Sequence, residues 1–574
     1  MPGGTIALLA ALLVAAILPA ARAGAAPAAP GVFLDLLAQA RSRSAASDWP
    51  AAARLWSRVV EINPVEGRFW AELARARRRM QDLRGALPAY RHAFDLGAGA
   101  PAASAYDIAS VHALLGERDE AFAWLNRALA MGYLDLDRLG TDPDLASLRD
   151  DPRFAGLVPG LMAPPPTDRV AGWRQDARFL LWQLDRLGVS PYRRHNRDWF
   201  AAQLETLAAS AGTRNDAQLA VALLAIMREV GDGHSGVMHG EGALWGLSVP
   251  VLFAPFEEGL FIIAADPAHR DLLGAQVIDF GGRAVEEVMA ALAEGVSRDN
   301  DGPWVRLQSA YRLRATGLLA GAGLIPAGDG VDLRVRTLAG ELRQVHLVAD
   351  LSQPNIWNLK PHPSGWINLG QTLPGPQPLY LQHPDQHYWF EHLPAERVLY
   401  VGFNTLLDQP PETIAAFSAR LAAFAAAHPI DKLVIDLRWN NGGNTFLFTP
   451  FLAAIVGMQN VNRPGHLFVL IGGRTFSAAQ NGATLLERFT NATFIGEPTG
   501  SSPNFIGEEH PFTLPYSRLT VNVSNLAWQS GFAQDRRSWI APLIYVPPSF
   551  AAYRAQRDPA MEAVLAWPAD AHPD

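Results

Sequence analysis

The chain has 574 residues, 49% of them hydrophobic and 18% charged, the balance of an ordinary globular protein but too long for a single core. Its 48 basic and 56 acidic residues leave a net charge of -8 with no basic cluster, so nucleic acid is not an expected partner. Cysteine is absent, which excludes disulfides, thiol catalysis and cysteine-ligated metal and leaves the chemistry to Ser, His, Asp, Glu or Lys.

At the N-terminus an apolar run from Ile6 to Leu18 precedes Ala21-Arg22-Ala23 and Ala23-Gly24-Ala25, both small-x-small cleavage patterns. Residues 1–25 therefore read as a secretory signal peptide, which places the mature protein in the periplasm or outside the cell. An uncleaved anchor or a disordered alanine-rich leader is the alternative. No later stretch reaches the roughly 18 apolar residues of a membrane helix, so no span is expected after signal cleavage.

Residues 32–160 read as helical and repetitive. Ala52, Trp56, Val59 and Pro64 align with Ala86, Tyr90 and Ala93, then with Ala121, Leu125 and Ala128, at offsets of 34 and 35 residues. That period resembles tetratricopeptide repeats, in which small residues let paired helices approach. It predicts a concave surface for a peptide or protein partner, or a helical cap that only packs on its neighbour. A further helical part, 166–240, follows and runs into VGDGHSGVMHG, which sets His234 in a glycine-punctuated loop.

Residues 246–350 alternate short apolar runs with one helix, AVEEVMAALAEGV, and predict a small β-rich module. LLGAQVIDFGGRAVEEVMAAL resembles the strand, turn and helix of a PDZ-like domain; a plain β-sandwich is the alternative. Residues 351–395, rich in Pro, His and Trp, read as an irregular surface connector.

From 396 to 565 the periodicity changes. RVLYVGF, KLVIDL, HLFVLIGG and ATFIGEP read as strands separated by amphipathic helices, and such alternation implies parallel strands with right-handed crossovers. In open α/β sheets ligands sit beyond the carboxyl ends of the strands. RWNNGGN and RTFSAA both leave the sheet at that edge. A serine at a strand-to-helix corner, here Ser477, has its hydroxyl exposed and the amide of Ala478 at a helix N-terminus, where an oxyanion is favoured. Gly442 and Gly443 lack a Cβ and let backbone amides approach a substrate carbonyl. Taken singly, Ser477 reads as a helix cap and the two glycines as a turn; their coincidence at one edge points to catalysis.

LVIDLRWNNGGNT, LIGGRTFSAAQNGATLL, FIGEPTGSSPNFIGE and TLPYSRLTVNVS, in that order, resemble the successive blocks of the tail-specific, or C-terminal-processing, serine peptidases. The likeness spans about residues 390 to 565, and VGDGHS matches a block that precedes the PDZ-like insert of that family. It implies a multidomain protein with an α-helical repeat region, a small β-rich PDZ-like module and an α/β crotonase-like (ClpP/crotonase-type) peptidase core. The implied activity is that of a serine-type endopeptidase acting through an acyl-enzyme, with no metal and no cofactor. The resemblance carries the nucleophile onto Ser477 and the oxyanion hole onto the amides of Gly443 and Ala478, with Gly442 shaping the turn.

The processing branch places a lysine in a TFGKG-type block where this chain has Ser502. The tricorn-like branch, which uses an earlier histidine and a late acidic residue, fits better. It assigns His234 as base, and imidazole titrates at about 6.5, which suits that work. For the acid it assigns Asp535, with Glu497, Glu508 and Glu509 as alternatives. His239, His510, Asp232 and Glu497 could be read as metal ligands, but no HExxH or comparable pattern supports this. Two other functions stay open: a catalytically degenerate peptidase-like scaffold that binds peptide or protein, and a crotonase-type acyl-CoA enzyme.

Overall fold

A computed structural model describes residues 30–159, 166–238, 245–328, 330–350 and 365–568. The predicted leader, 1–25, and His239 lie outside the described residues. The chain divides into two compact units, Met1–Val158 and Pro159–Asp574.

The first unit is built from helices in sequence-adjacent pairs, of which Trp49–Ile62, Leu83–Asp95 and Arg118–Ala130 are the second members. Asp48 and Asp82 cap two of them by accepting an amide of the first turn. Such caps satisfy donors that the helix itself leaves unpaired. Of the residues aligned at the repeat period, Ala52, Trp56, Val59, Ala86, Tyr90, Ala93, Ala121, Leu125 and Ala128 are buried on these three helices, while Pro64 is exposed just beyond the first of them. Alanine at the contacts lets neighbouring helices lie close.

In the second unit a six-stranded sheet runs in the order Ile544–Tyr545, Thr493–Gly496, Leu467–Ile471, Lys432–Asp436, Val398–Phe403, Tyr388–Leu393. All neighbours are parallel except the last pair. The edge strand Tyr388–Leu393 falls in the segment read as irregular connector. Its alternation is weak, and it is recruited by pairing with Val398–Phe403. Val398–Phe403 and Leu467–Ile471 are buried along their whole length, as strands covered on both faces must be. Leu399, Val401, Leu433, Ile435, Leu467 and Val469 face one core with the helices Ile414–Ala427, Thr449–Gly457 and Ala478–Phe489. Val398, Tyr400, Val434, Phe468 and Leu470 face the other, closed by the helix Pro559–Leu565. That division is the period-2 alternation of a strand made visible in packing.

A second sheet, antiparallel throughout, is formed by Val251–Phe256, Gly259–Ala265, Gln276–Phe280, Gly330–Arg336 and Leu342–Val348, with short additions at Arg283–Ala284 and Ile367–Asn368. The helices Val285–Ala293 and Pro303–Arg312 fall between its third and fourth long strands in sequence. A third sheet pairs the long hairpin Asn504–Thr513 and Thr520–Gln529 with the two-residue strand Gly236–Val237. The hairpin turn is tied to the helix Arg169–Leu187 by Asp176, whose carboxylate accepts the amides of Tyr516 (2.7 Å) and Ser517 (2.8 Å).

Where Lys432–Asp436 leaves the six-stranded sheet, Arg438 bridges two buried carboxylates, Asp436 at 2.5 Å and Asp558 at 2.7 Å. Asp558 also caps Pro559–Leu565, and Tyr400 donates to Asp436 at 2.7 Å. Removing the guanidinium leaves two carboxylates buried without a counter-charge. Arg438→Met is therefore expected to lower unfolding free energy by about 3–5 kcal/mol, measured by denaturant melting.

Candidate active site

The helix Ala478–Phe489 begins directly after Ser477, six residues beyond the strand Leu467–Ile471. Ser477 occupies the cap position, yet its hydroxyl makes no capping hydrogen bond, so the cap explanation for this serine does not hold. Its backbone sits at φ 56° and ψ -126°. An L residue is held there only by its surroundings, at a cost of about 1–3 kcal/mol. Those surroundings are specific. Thr475 donates its hydroxyl to the Leu437 carbonyl (3.0 Å) and its amide to the Gly472 carbonyl (2.8 Å). Fully buried Asn440 donates Nδ2 to the Phe403 carbonyl (2.8 Å), and its own carbonyl accepts the Phe476 amide (3.4 Å). The loops leaving two adjacent strands are thereby tied to one another.

Gly442 and Gly443 have φ of 125° and 133°. A Cβ on Gly442 would stand 2.8 Å from the Cβ of Ser477, and one on Gly443 would stand 2.4 Å from the Leu406 carbonyl oxygen. The Gly442 amide donates to Asn440 Oδ1 (3.0 Å), which leaves that residue to shape the bend and not to donate to a ligand. Among the described residues the amides of Gly443 and Ala478 enter no backbone hydrogen bond. The Ala478 amide also opens a helix, whose N-terminus carries partial positive charge.

His234 arrives from 243 residues earlier, and its Nε2 lies 2.9 Å from Ser477 Oγ. Buried Asp232 sets its loop: one carboxylate oxygen accepts the amides of His234 (2.9 Å) and Ser235 (2.5 Å) and the Ser524 hydroxyl (2.9 Å). The imidazole is stacked between Phe476 (4.7 Å between ring centres) and Phe505 (5.5 Å), and Phe476 stacks in turn on Trp304 (4.0 Å). Ser477, His234, Gly442 and Gly443 line a cavity of about 760 Å³.

Asp535 is not brought to the imidazole. Its carboxylate is held by Arg537 at 2.7 Å, which also pairs with Glu487 at 2.6 Å, and this holds Asp535 below the usual carboxylate range. His234 Nδ1 has no hydrogen-bond partner. Sequence reading does not reveal that Arg537, two positions on, competes for the same carboxylate. It also passes over Asp299, which is half-buried, accepts the Gly233 amide at 3.1 Å and the Ser501 hydroxyl, and feels the charge of His234. Burial pushes its carboxyl up, and the Ser501 hydrogen bond and His234 oppose that push. The only sequence signal for it is the polar RDND run before Pro303.

Glu508 and Glu509 line the Ser477 cavity as exposed residues of the hairpin and do not reach the imidazole. Glu497 lies instead in a separate cavity of about 220 Å³, with Arg306, Tyr311 and Arg438. Ser502 donates to the Ser538 carbonyl (3.1 Å). Among the described residues no group of three or more His, Cys, Asp or Glu side chains could hold a metal ion.

No family model matches the chain, and no curated protein matches it. Solved structures do. A point mutant of CPAF aligns at a TM-score of 0.50 and 13% identity over 69% of this chain and 98% of its own. Mature CPAF complexed with lactacystin aligns at 0.49 and 14% over 69% and 97%, and the photosystem II D1 C-terminal processing protease at 0.33 and 13% over 66% and 94%. The first of these likenesses shows a shared fold.

Glu497 gives the region a pH signature. Burial pushes its carboxyl up from the ordinary 4.5 to about 7, against the opposing charge of Arg306. A raised carboxyl favours the folded state fully below its unfolded value and loses that contribution as pH rises through its folded value. Thermal midpoints are therefore expected to fall between pH 4.5 and pH 7, and Glu497→Gln to flatten that fall in calorimetric scans.

Proposed function

We propose that the protein is an exported serine peptidase of the tail-specific type, hydrolysing peptide bonds through an ester on Ser477. The observation that carries this is the 2.9 Å contact between Ser477 Oγ and His234 Nε2, made by residues 243 apart at a backbone position that costs energy to hold. In this reading His234 Nε2 takes the hydroxyl proton as Ser477 attacks the carbonyl, then returns it to the leaving amine. The amides of Gly443 and Ala478 receive the oxyanion. The tautomer that accepts at Nε2 carries its proton on Nδ1, and the positive ring that forms is stabilised through space by the carboxylates of Asp299 and Asp232. Asp535 keeps a structural part, fixing the segment after the hairpin through Arg537. No metal or cofactor enters the scheme.

The crotonase-like core is supported by the parallel strand order and by both catalytic loops leaving one sheet edge. The antiparallel module at 246–350 supports a PDZ-like reading, and the helical repeats are proposed to hold a peptide or protein partner. Export rests on the composition of residues 1–25. Among the described residues no helix is long and apolar enough to cross a membrane. The alternative of a degenerate binding scaffold is disfavoured by the hydroxyl–imidazole contact, which a site without chemistry has no reason to hold under strain.

A fluorophosphonate probe should label the wild-type protein at Ser477, read by intact mass. Ser477→Ala should abolish labelling and lower peptide hydrolysis by on the order of a million-fold. Failure of the wild type to label would leave only the binding scaffold. Gly442→Ala, which drives a methyl group against Ser477, should cost roughly a hundredfold or more in kcat, a loss of the size seen when an oxyanion donor is displaced.

A further inference from the structure

The cavity that holds Ser477 is also lined by one face of the helix Pro303–Arg312, from which Trp304, Gln308 and Arg312 recur at intervals of four residues. Trp304 is accounted for, since it stacks on Phe476 behind the imidazole. Arg312 is not. It is 4% exposed, its Nε has no hydrogen-bond partner, and among the described residues its guanidinium enters no ion pair. Its neighbours include Gly295, on which a Cβ would stand 3.1 Å from the Arg312 Nη1, the Trp245 ring, 6.0 Å away, and the charge of a second buried cation, Arg298. Arg298 has its own carboxylate, Asp301 at 3.1 Å. Burial first, and the repulsion of Arg298 second, push Arg312 down to about 9, which still leaves it charged at neutral pH.

An unpaired charge buried in a fold is a large cost unless something supplies its counter-charge. The other structural explanations are closed here. Arg312 bridges no two elements by hydrogen bonds, as Arg438 does, and it caps no carbonyl. The carboxylates that share its cavity, Glu508 and Glu509, are exposed on the hairpin and do not pair with it. They would repel an anionic group on their own side and leave the helix side as the favourable place for one. A cavity of about 760 Å³ has room for several residues of an extended peptide. A guanidinium fork is matched to a carboxylate, with which it makes two parallel charge-assisted hydrogen bonds.

We propose that Arg312 is the specificity-determining residue of this site and binds a carboxylate of the peptide substrate next to the bond that Ser477 attacks. The inference rests on the peptidase reading for the word substrate, while the recognition of a carboxylate does not require hydrolysis. Two sources present that group: an acidic side chain near the scissile bond, or the terminal carboxylate of a chain cut close to its end.

The test uses three peptide pools of matched sequence with acetylated N-termini. One carries Glu and Asp and ends in an amide, one carries Gln and Asn and ends in an amide, and one carries Gln and Asn with a free C-terminus. Wild type is expected to show kcat/KM on the order of tenfold to a hundredfold higher for one carboxylate pool than for the fully neutral pool, the size of a charge-assisted hydrogen-bond pair. Preference for the first pool identifies a side chain, and preference for the third identifies the terminus. Arg312→Met should bring the preferred pool down to the neutral level, and Arg312→Lys, which keeps charge but loses the fork, should fall between. Because Arg312→Met removes an unpaired charge, its thermal midpoint should equal or exceed that of wild type, which separates lost recognition from lost folding. Fluorescence polarisation with the same pools on Ser477→Ala reads binding without hydrolysis. Carboxylate-selective binding without cleavage by wild type would overturn the peptidase reading and sustain this one. Equal binding and cleavage of acid and amide pools, or a preference that survives Arg312→Met, would overturn this proposal and leave the peptidase reading standing.

Discussion

Everything at the candidate site depends on holding one residue, Ser477, in a backbone conformation that its own chemistry disfavours. The restraint comes from buried polar groups with their hydrogen bonds satisfied: Thr475 on Leu437 and Gly472, and Asn440 on Phe403, Gly442 and Phe476. The contacts of Thr475 with Leu437, Asn440 with Phe403 and Phe476 with Asn440 cross between the ends of neighbouring strands, so the bend at the serine is fixed by the sheet and not by the loop alone. The two glycines opposite complete the fit, because the space where a side chain would begin is already filled by Ser477 and by the Leu406 carbonyl. A parallel sheet covered on both faces supplies the rigidity this requires, and the Asp436–Arg438–Asp558 cluster anchors the point where the diglycine segment departs.

Much of this was legible in the residues themselves. The buried strands are unbroken apolar runs, and the helices between them have clear periodicity, so the order of the core could be read without coordinates. Ser477 and Gly442-Gly443 could be read too, since a strand-to-helix corner and a bare diglycine bend are local features. His234 is legible only through the family resemblance, because nothing in a glycine-punctuated loop announces a partner 243 residues away. The edge strand Tyr388–Leu393 is not legible, because its identity lies in the neighbour it pairs with and not in its own pattern.

The charged residues were the least legible, for a single physical reason. Whether a carboxylate or guanidinium is free, paired or buried is decided by packing, and packing is not a property of spacing along the chain. Asp535 has the right residue type in the right region and is taken by Arg537. Asp299, in the polar RDND run, is half-buried and accepts the Gly233 amide next to His234, and Arg312 is buried at the end of a helix that lines the cavity.

The imidazole of His234 lies in a column of rings, between Phe505 and Phe476, with Trp304 behind. Phe476 is the residue immediately before the serine, so the same short peptide that carries the hydroxyl also carries one wall of the histidine's slot. The hydroxyl and one wall of the imidazole's slot are thus carried by adjacent residues, so a displacement of that corner would carry both groups of the contact with it.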